Sequence, residues 1–215
     1  MKIYQPTNQP TNSNLALIAL LLAAGLGYTS SATAALMSRL GGQAVYDTDF
    51  NITWLADANA NGAMTWADAN TWAAGLNVGG YTGWRLPNAD ISCGAGVGAY
   101  NCINSELGHL YYTELGATQD NSINNSTSPY MALFTNVQNV AYWSGNGYAP
   151  NPLQAWVFYT QSGFQYQGNK LNEWNAWAVR SGDVGGGGSV PEPGILGLMS
   201  IGALAWAGIR SRRLG

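Results

Sequence analysis

Two apolar stretches bracket this chain and decide how much of it is left to build a fold. Near the start, Leu15 to Leu26 is almost wholly Leu, Ala and Ile, and Ala32-Thr33-Ala34 follows. This is the small-residue pattern at which a secretory signal peptide is cut. A membrane-retained first helix is the competing reading, because Lys2 is the sole cation ahead of the run. Near the end, Val190-Pro191-Glu192-Pro193 precedes 15 apolar residues, Ile195 to Ile209, and then Arg210, Arg212 and Arg213. As a helix that run covers about 22 Å at roughly 1.5 Å per residue. A hydrocarbon core of ~30 Å calls for a longer one, so the segment suits a transient anchor. Its arginines belong on the cytoplasmic side, which puts everything upstream across the membrane. The expected organisation is a signal peptide over 1–34, one folded body over 35–182 and a Gly-rich linker over 183–190. A terminal signal over 190–215 contains the membrane helix 195–209.

Charge is scarce in the body. Charged residues make up 9% of the chain against 12% aromatic, so much of the surface must be neutral: Asn, Gln, Ser, Thr, Tyr and Gly. From Ala35 to Val190 four cations (Arg39, Arg85, Lys170, Arg180) stand against ten acids, a net of −6. This balance argues against nucleic acid as a partner, which needs a basic footprint, and against electrostatic capture of sulfated glycans. Neutral sugars and divalent cations remain compatible. Cys93 and Cys102 sit close together in a chain marked for export, so a disulfide closing a small loop is expected.

Hydrophobic periodicity outlines the elements. Tyr46 to Leu55 reads as a strand, with Phe50, Ile52 and Trp54 on one face. A helix follows from about Thr65 to Leu76, with Trp66, Ala69, Ala73 and Leu76 on one side and Gly79-Gly80 beyond its end. A second helix is expected over Ser105–Leu115, stopped by Gly116, and a loop over Ala117–Tyr130. Later come strands over Val140–Trp143, Ala155–Thr160, Phe164–Gln167 and Trp174–Arg180, with Gln161-Ser162-Gly163 as a hairpin turn. Helices first and antiparallel strands later make an α+β domain with two helices and a mostly antiparallel sheet.

Three constellations are candidates for function. Asp57, Asn59 and Asn61 place oxygens at loop positions 1, 3 and 5, Gly62 is at the turn and Asp68 at position 12, the spacing of a calcium loop. The same residues also read as a metal-free turn in which Thr65-x-x-Asp68 caps a helix. Arg85, between Trp84 and Leu86-Pro87, is expected to be a half-buried structural guanidinium paired with a carboxylate, as is Arg180 in the last strand. Most of the tryptophans are expected in the core. Tyr148 and Trp174, flanked by polar or Gly/Pro-rich neighbours, are the aromatics best placed to meet a ligand, because sugar rings stack on flat aromatic faces. Enzyme signals are poor: His109, the lone histidine, reads as a structural helix residue, and no nucleophile elbow, phosphate loop or zinc spacing is present. The body is expected to be non-catalytic.

Two family resemblances complete the reading. The Pro-Glu-Pro motif, apolar span and basic end, in that order, resemble the PEP-CTERM sorting signal. That resemblance implies recognition by an exosortase, cleavage near the motif and delivery to the cell surface or extracellular matrix. Within the body, Met64–Ala69, Gly79–Asn88, Tyr142–Ser144, Ala155–Phe158 and Ala178–Gly182 resemble blocks of the Lcl C-terminal domain, grouped with C-type-lectin-like folds. The match runs from about Tyr46 to Gly182 and implies a compact mixed fold with a surface role, in some members adhesion to glycans. The lectin sugar motif itself is not carried over, since Ala176 follows Trp174-Asn175 and Leu86 precedes Pro87-Asn88. The function expected is binding of exopolysaccharide or other glycans without catalysis, with calcium as the one cofactor considered. A structural matrix protein with no discrete ligand is the alternative.

Overall fold

The computed structural model describes residues 36–185. The signal peptide, the sorting motif and the membrane helix 195–209 expected from the sequence lie outside the described residues. Two sheets organise the body. The first has the order β1 (Leu36–Arg39), β2 (Ala44–Asp47), β3 (Ile52–Leu55), β9 (Val179–Ser181), all pairs antiparallel. In the second the order is β4 (Ala63–Met64), β8 (Trp174–Asn175), β5 (Ala141–Gly147), β6 (Gln154–Tyr159), β7 (Phe164–Asn169). Only β5 and β8 run parallel there. With helix α1 (Trp66–Gly75) and the short helix α2 (Glu106–His109), the architecture is α+β and mostly antiparallel.

The strand expected over Tyr46–Leu55 is two strands. Asp47 Oδ1 accepts the N–H groups of Asp49 and Phe50 at 3.0 and 3.1 Å, which folds the chain back on itself. Asn51 completes the reversal at φ 49°, a left-handed conformation that Asn tolerates. The strand expected over Trp174–Arg180 is also divided. Trp174–Asn175 pairs in the second sheet and Val179–Ser181 in the first, with the buried residues Ala176, Trp177 and Ala178 crossing between them. That crossing places Trp177 at the centre of the core. Its ring lies 5.3 Å from Trp54, 5.1 Å from Phe134 and 5.7 Å from Tyr142. Its indole N–H donates to Leu55 O at 2.7 Å, which offsets the desolvation of the one polar atom it carries. Trp143 does the same towards Met64 O at 2.9 Å.

Helix α1 starts where the sequence places it. The Thr65 hydroxyl accepts from Asp68 N–H and donates to the Asp68 carboxylate at 2.6 Å, and Ala69 and Ala73 face the core. The second expected helix changes character midway. After α2, whose N-cap Ser105 accepts from Gly108 N–H at 3.0 Å, residues Leu110–Glu114 form a π-helical turn. It is closed by the five-residue bond from Leu115 N–H to Leu110 O at 2.9 Å. The stretch expected as a loop over Ala117–Tyr130 carries two short 3-10 turns, Ile123–Asn125 and Pro129–Leu133. Cys93 and Cys102 are joined in a disulfide.

Candidate functional site

The loop after β3 is built as an Asx turn. Asp57 Oδ1 accepts from Asn59 N–H at 2.9 Å, its Oδ2 accepts from the Asn136 side chain at 3.0 Å, and Gly62 turns at φ 72°. Asp68 sits on the exposed side of α1, where Thr65 is the cap and its hydroxyl donates to the Asp68 carboxylate. Asn59 Oδ1 is buried without a hydrogen-bond partner. Asp57 also lines an open groove of about 440 Å³. Leu55, Leu76 and Val78 supply its apolar wall, and Gln43, Asn77 and Thr135 its polar groups. Gln43 and Asn77 are exposed, so their amides can donate to and accept from a ligand.

The two aromatics singled out in the sequence have different surroundings. Tyr148 stands edge-on to Trp156, with ring centroids 5.5 Å apart. Together with Ile91 and Pro150 they line a smaller pocket of about 150 Å³. Trp174 is half-buried: its ring lies 4.6 Å from Trp143 and closes over Gly168, where any Cβ would overlap ring atoms Cζ3 and Cη2. Trp174 therefore locks β8 against β7, the opposite edge of its sheet from β4.

Arg85 has the partner its setting demanded. Its two terminal nitrogens donate to the two oxygens of Glu106 at 2.7 Å each, a bidentate pair that suits the planar guanidinium. Glu106 Oε2 also accepts from Asn88 N–H at 2.7 Å, and Glu106 N–H donates back to Asn88 O at 3.0 Å. The backbone of Arg85 exchanges both hydrogen bonds with Val179 of β9, at 2.7 and 2.8 Å. The Gly-Trp-Arg-Leu-Pro-Asn block is thus clamped between β9 and the start of α2. Arg180 donates from Nε to Thr82 O at 3.1 Å and lies over the Tyr81 ring, a structural contact on the same block.

A buried polar cluster escaped the sequence reading. Asp47, His109 and Glu114 are 0%, 8% and 5% exposed, and one ligand-type atom from each lies within 4.8 Å of the others. His109 Nε2 is 3.3 Å from Glu114 Oε1 and 3.5 Å from Asp49 Oδ2, and Phe50 packs on the imidazole at 4.3 Å. Burial pushes the Asp47 carboxyl above the usual carboxylate range. Glu114 is raised as well, by burial first and by the charge of Asp47 second. The π-helical turn explains both the site and its invisibility. Residues five apart on an α-helix are roughly 140° apart around the axis, so α-helical periodicity puts His109 and Glu114 on different faces. The wider turn brings them onto one face. Such turns recur at functional sites.

Comparison with known families matches residues 189–213 to the PEP-CTERM protein-sorting motif. The matched segment contains Val190, Pro191, Glu192 and Pro193, the apolar span and the terminal arginines. It marks the chain as an exported, membrane-anchored precursor processed by an exosortase. The match lies wholly beyond the described body and so characterises sorting, not the fold. No curated protein matches the chain.

Proposed function

We propose that the body is a non-catalytic binding module for neutral polysaccharide, carried to the cell surface or extracellular matrix by the exosortase signal. The observation that carries this reading is the groove beside Asp57. At about 440 Å³ it is of the size that small-molecule and single-sugar sites occupy. Its Gln43 and Asn77 amides suit hydroxyl groups, and its Leu55, Leu76 and Val78 wall suits the apolar face of a sugar ring. The low charge of the body and its resemblance to the Lcl C-terminal domain add to the same reading. Calcium enters as a proposed cofactor through Asn59 Oδ1, the buried oxygen that the Asp57 turn leaves without a donor.

The test is binding of the full chain, purified in mild detergent, to a panel of neutral polysaccharides, with calcium and then with chelator. Saturable binding lost in the double variant Gln43→Ala/Asn77→Ala is the expected result. Loss in Tyr148→Ala alone would move the site to the pocket beside Trp156. Absence of saturable binding to any polysaccharide would leave a structural matrix protein as the function.

A further inference from the structure

We propose that Asp47, His109 and Glu114 form a binding site for a divalent first-row transition ion of the zinc type, with Asp49 on its solvent side. Three independent observations support the site. First, the spacing of the His109, Glu114 and Asp49 atoms fits, with an Asp47 ligand atom within 4.8 Å of those of His109 and Glu114. Ligands bound at 2.0–2.1 Å around a tetrahedral ion stand about 3.3–3.4 Å apart. His109 Nε2 lies 3.3 Å from Glu114 Oε1 and 3.5 Å from Asp49 Oδ2. Second, Asp47 Oδ2 belongs to a wholly buried side chain and makes no hydrogen bond of normal geometry; the Trp54 indole N–H, a neutral donor likewise left without a well-formed bond, is the polar group that approaches this carboxylate. Its other oxygen is held by the N–H groups of Asp49 and Phe50, so the carboxylate is oriented and Oδ2, with two lone pairs, keeps room for a further bond. Buried oxygens are ordinarily paired, and a metal bond would satisfy this one.

Third, the cluster is short of positive charge. All four cations among the described residues are engaged elsewhere: Arg39 with Asp183, Arg85 with Glu106, Lys170 with Pro152 O and the Trp66 ring, and Arg180 with Thr82 O and the Tyr81 ring. The titratable groups that face His109 are Asp47, Asp49 and Glu114, all acidic. Three carboxyl groups gathered around one imidazole concentrate acid in a largely buried place, which is costly without a counter-ion. A dication supplies one. The imidazole ligand and short spacing favour a first-row transition ion over calcium, which takes six to eight oxygens at longer bonds. Asp49, at 37% side-chain exposure, gives the ion a path from solvent. This is a different place from the Asp57 loop, and it does not depend on the polysaccharide reading.

The experiment uses the untagged full chain in mild detergent, stripped with chelator and then given zinc chloride in equilibrium dialysis, followed by zinc X-ray absorption. One zinc per chain is expected, with affinity lowered about tenfold or more in His109→Gln and in Glu114→Gln. Glu173→Gln, which removes an exposed carboxylate, should bind as the parent does. Because His109 is the only histidine, imidazole scattering from the bound zinc of the parent chain reports this site even if a variant fails to fold. Sub-stoichiometric zinc, equal affinity in the folded variants, or a metal shell of oxygen alone would overturn the assignment.

Discussion

Replacing Arg85 by Met isolates the interaction that holds the Gly-Trp-Arg-Leu-Pro-Asn block in place. The side chain of Met fills much of the same volume but leaves Glu106, 7% exposed, without its guanidinium. Removing one member of a buried ion pair typically costs about 3–5 kcal/mol. Two features of this pair reduce that figure. Arg85 is 32% exposed, so water reaches part of the site, and Asn88 N–H still donates to Glu106 at 2.7 Å. The expected loss is about 2–4 kcal/mol. Adding Glu106→Gln removes the stranded charge while retaining an oxygen for Asn88 N–H. The double variant should therefore be more stable than Arg85→Met alone, because most of the cost is an uncompensated charge. The assay is urea unfolding of the four members of the cycle with the disulfide intact, at low and high salt. Moderate salt should change the coupling little, since the pair is largely shielded from counter-ions. A loss below about 1 kcal/mol for Arg85→Met, or strict additivity in the double variant, would refute the clamp.

Three further outcomes are expected. Gly168→Ala places a methyl group inside the Trp174 ring, so it should destabilise by about 1–3 kcal/mol and shift the near-ultraviolet circular dichroism. An unchanged spectrum and stability would mean the ring is not seated there. Cys93→Ser/Cys102→Ser opens a short loop, with a sequence separation of 9. It should lower stability by about 2–3 kcal/mol on the loop-entropy model, and an unaltered urea midpoint would rule out that contribution. The metal-free chain should respond to pH through Asp47 and Glu114, both raised by burial above their ordinary 3.8 and 4.5. Their folded forms retain protons that the unfolded chain releases. Their stabilisation is therefore full below about pH 4 and is lost as pH climbs through the raised values. Asp90, lowered chiefly by the Ser92 hydroxyl, contributes the opposite slope, so the difference between the parent and Asp47→Asn is the quantity to follow. That difference should fall with rising pH; a flat or rising difference would contradict the burial of Asp47.

Much of what the sequence discloses is local chemistry. Thr65 and Asp68 are three residues apart, and the Thr65 cap needs nothing but a helix to follow. Cys93 and Cys102 are near enough along the chain for their disulfide to be expected from export alone. The α+β class follows from periodicity, and the sorting signal is a contiguous order of motif, apolar span and arginines. Such features survive the loss of all tertiary information because every partner lies within a few residues. Their boundaries are less secure: alternation through Phe50, Ile52 and Trp54 suggests one long strand, yet the Asp47 carboxylate turns the chain between two.

Contacts between distant residues belong to the tertiary structure. Arg85 called for a carboxylate, but ten acids were available, and only the packing of α2 against the Arg85 block selects Glu106. The segment from Trp174 to Val179 has one apolar character throughout, and it is the closure of two sheets on Trp177 that divides it between them. Tyr148 and Trp174 have similar neighbours in sequence, yet Gly168 makes room for one as a lock while the other lines a pocket. Most of all, Asp47, His109 and Glu114 meet because a turn in one sheet and a widened helical turn bring them together. Periodicity at 3.6 residues places His109 and Glu114 apart, and no local rule connects either to Asp47. The sequence by itself determined the sorting signal and which short segments cap, turn and cross-link. Which charges are buried together was decided only when the body closed, because burial is a property of the packed whole.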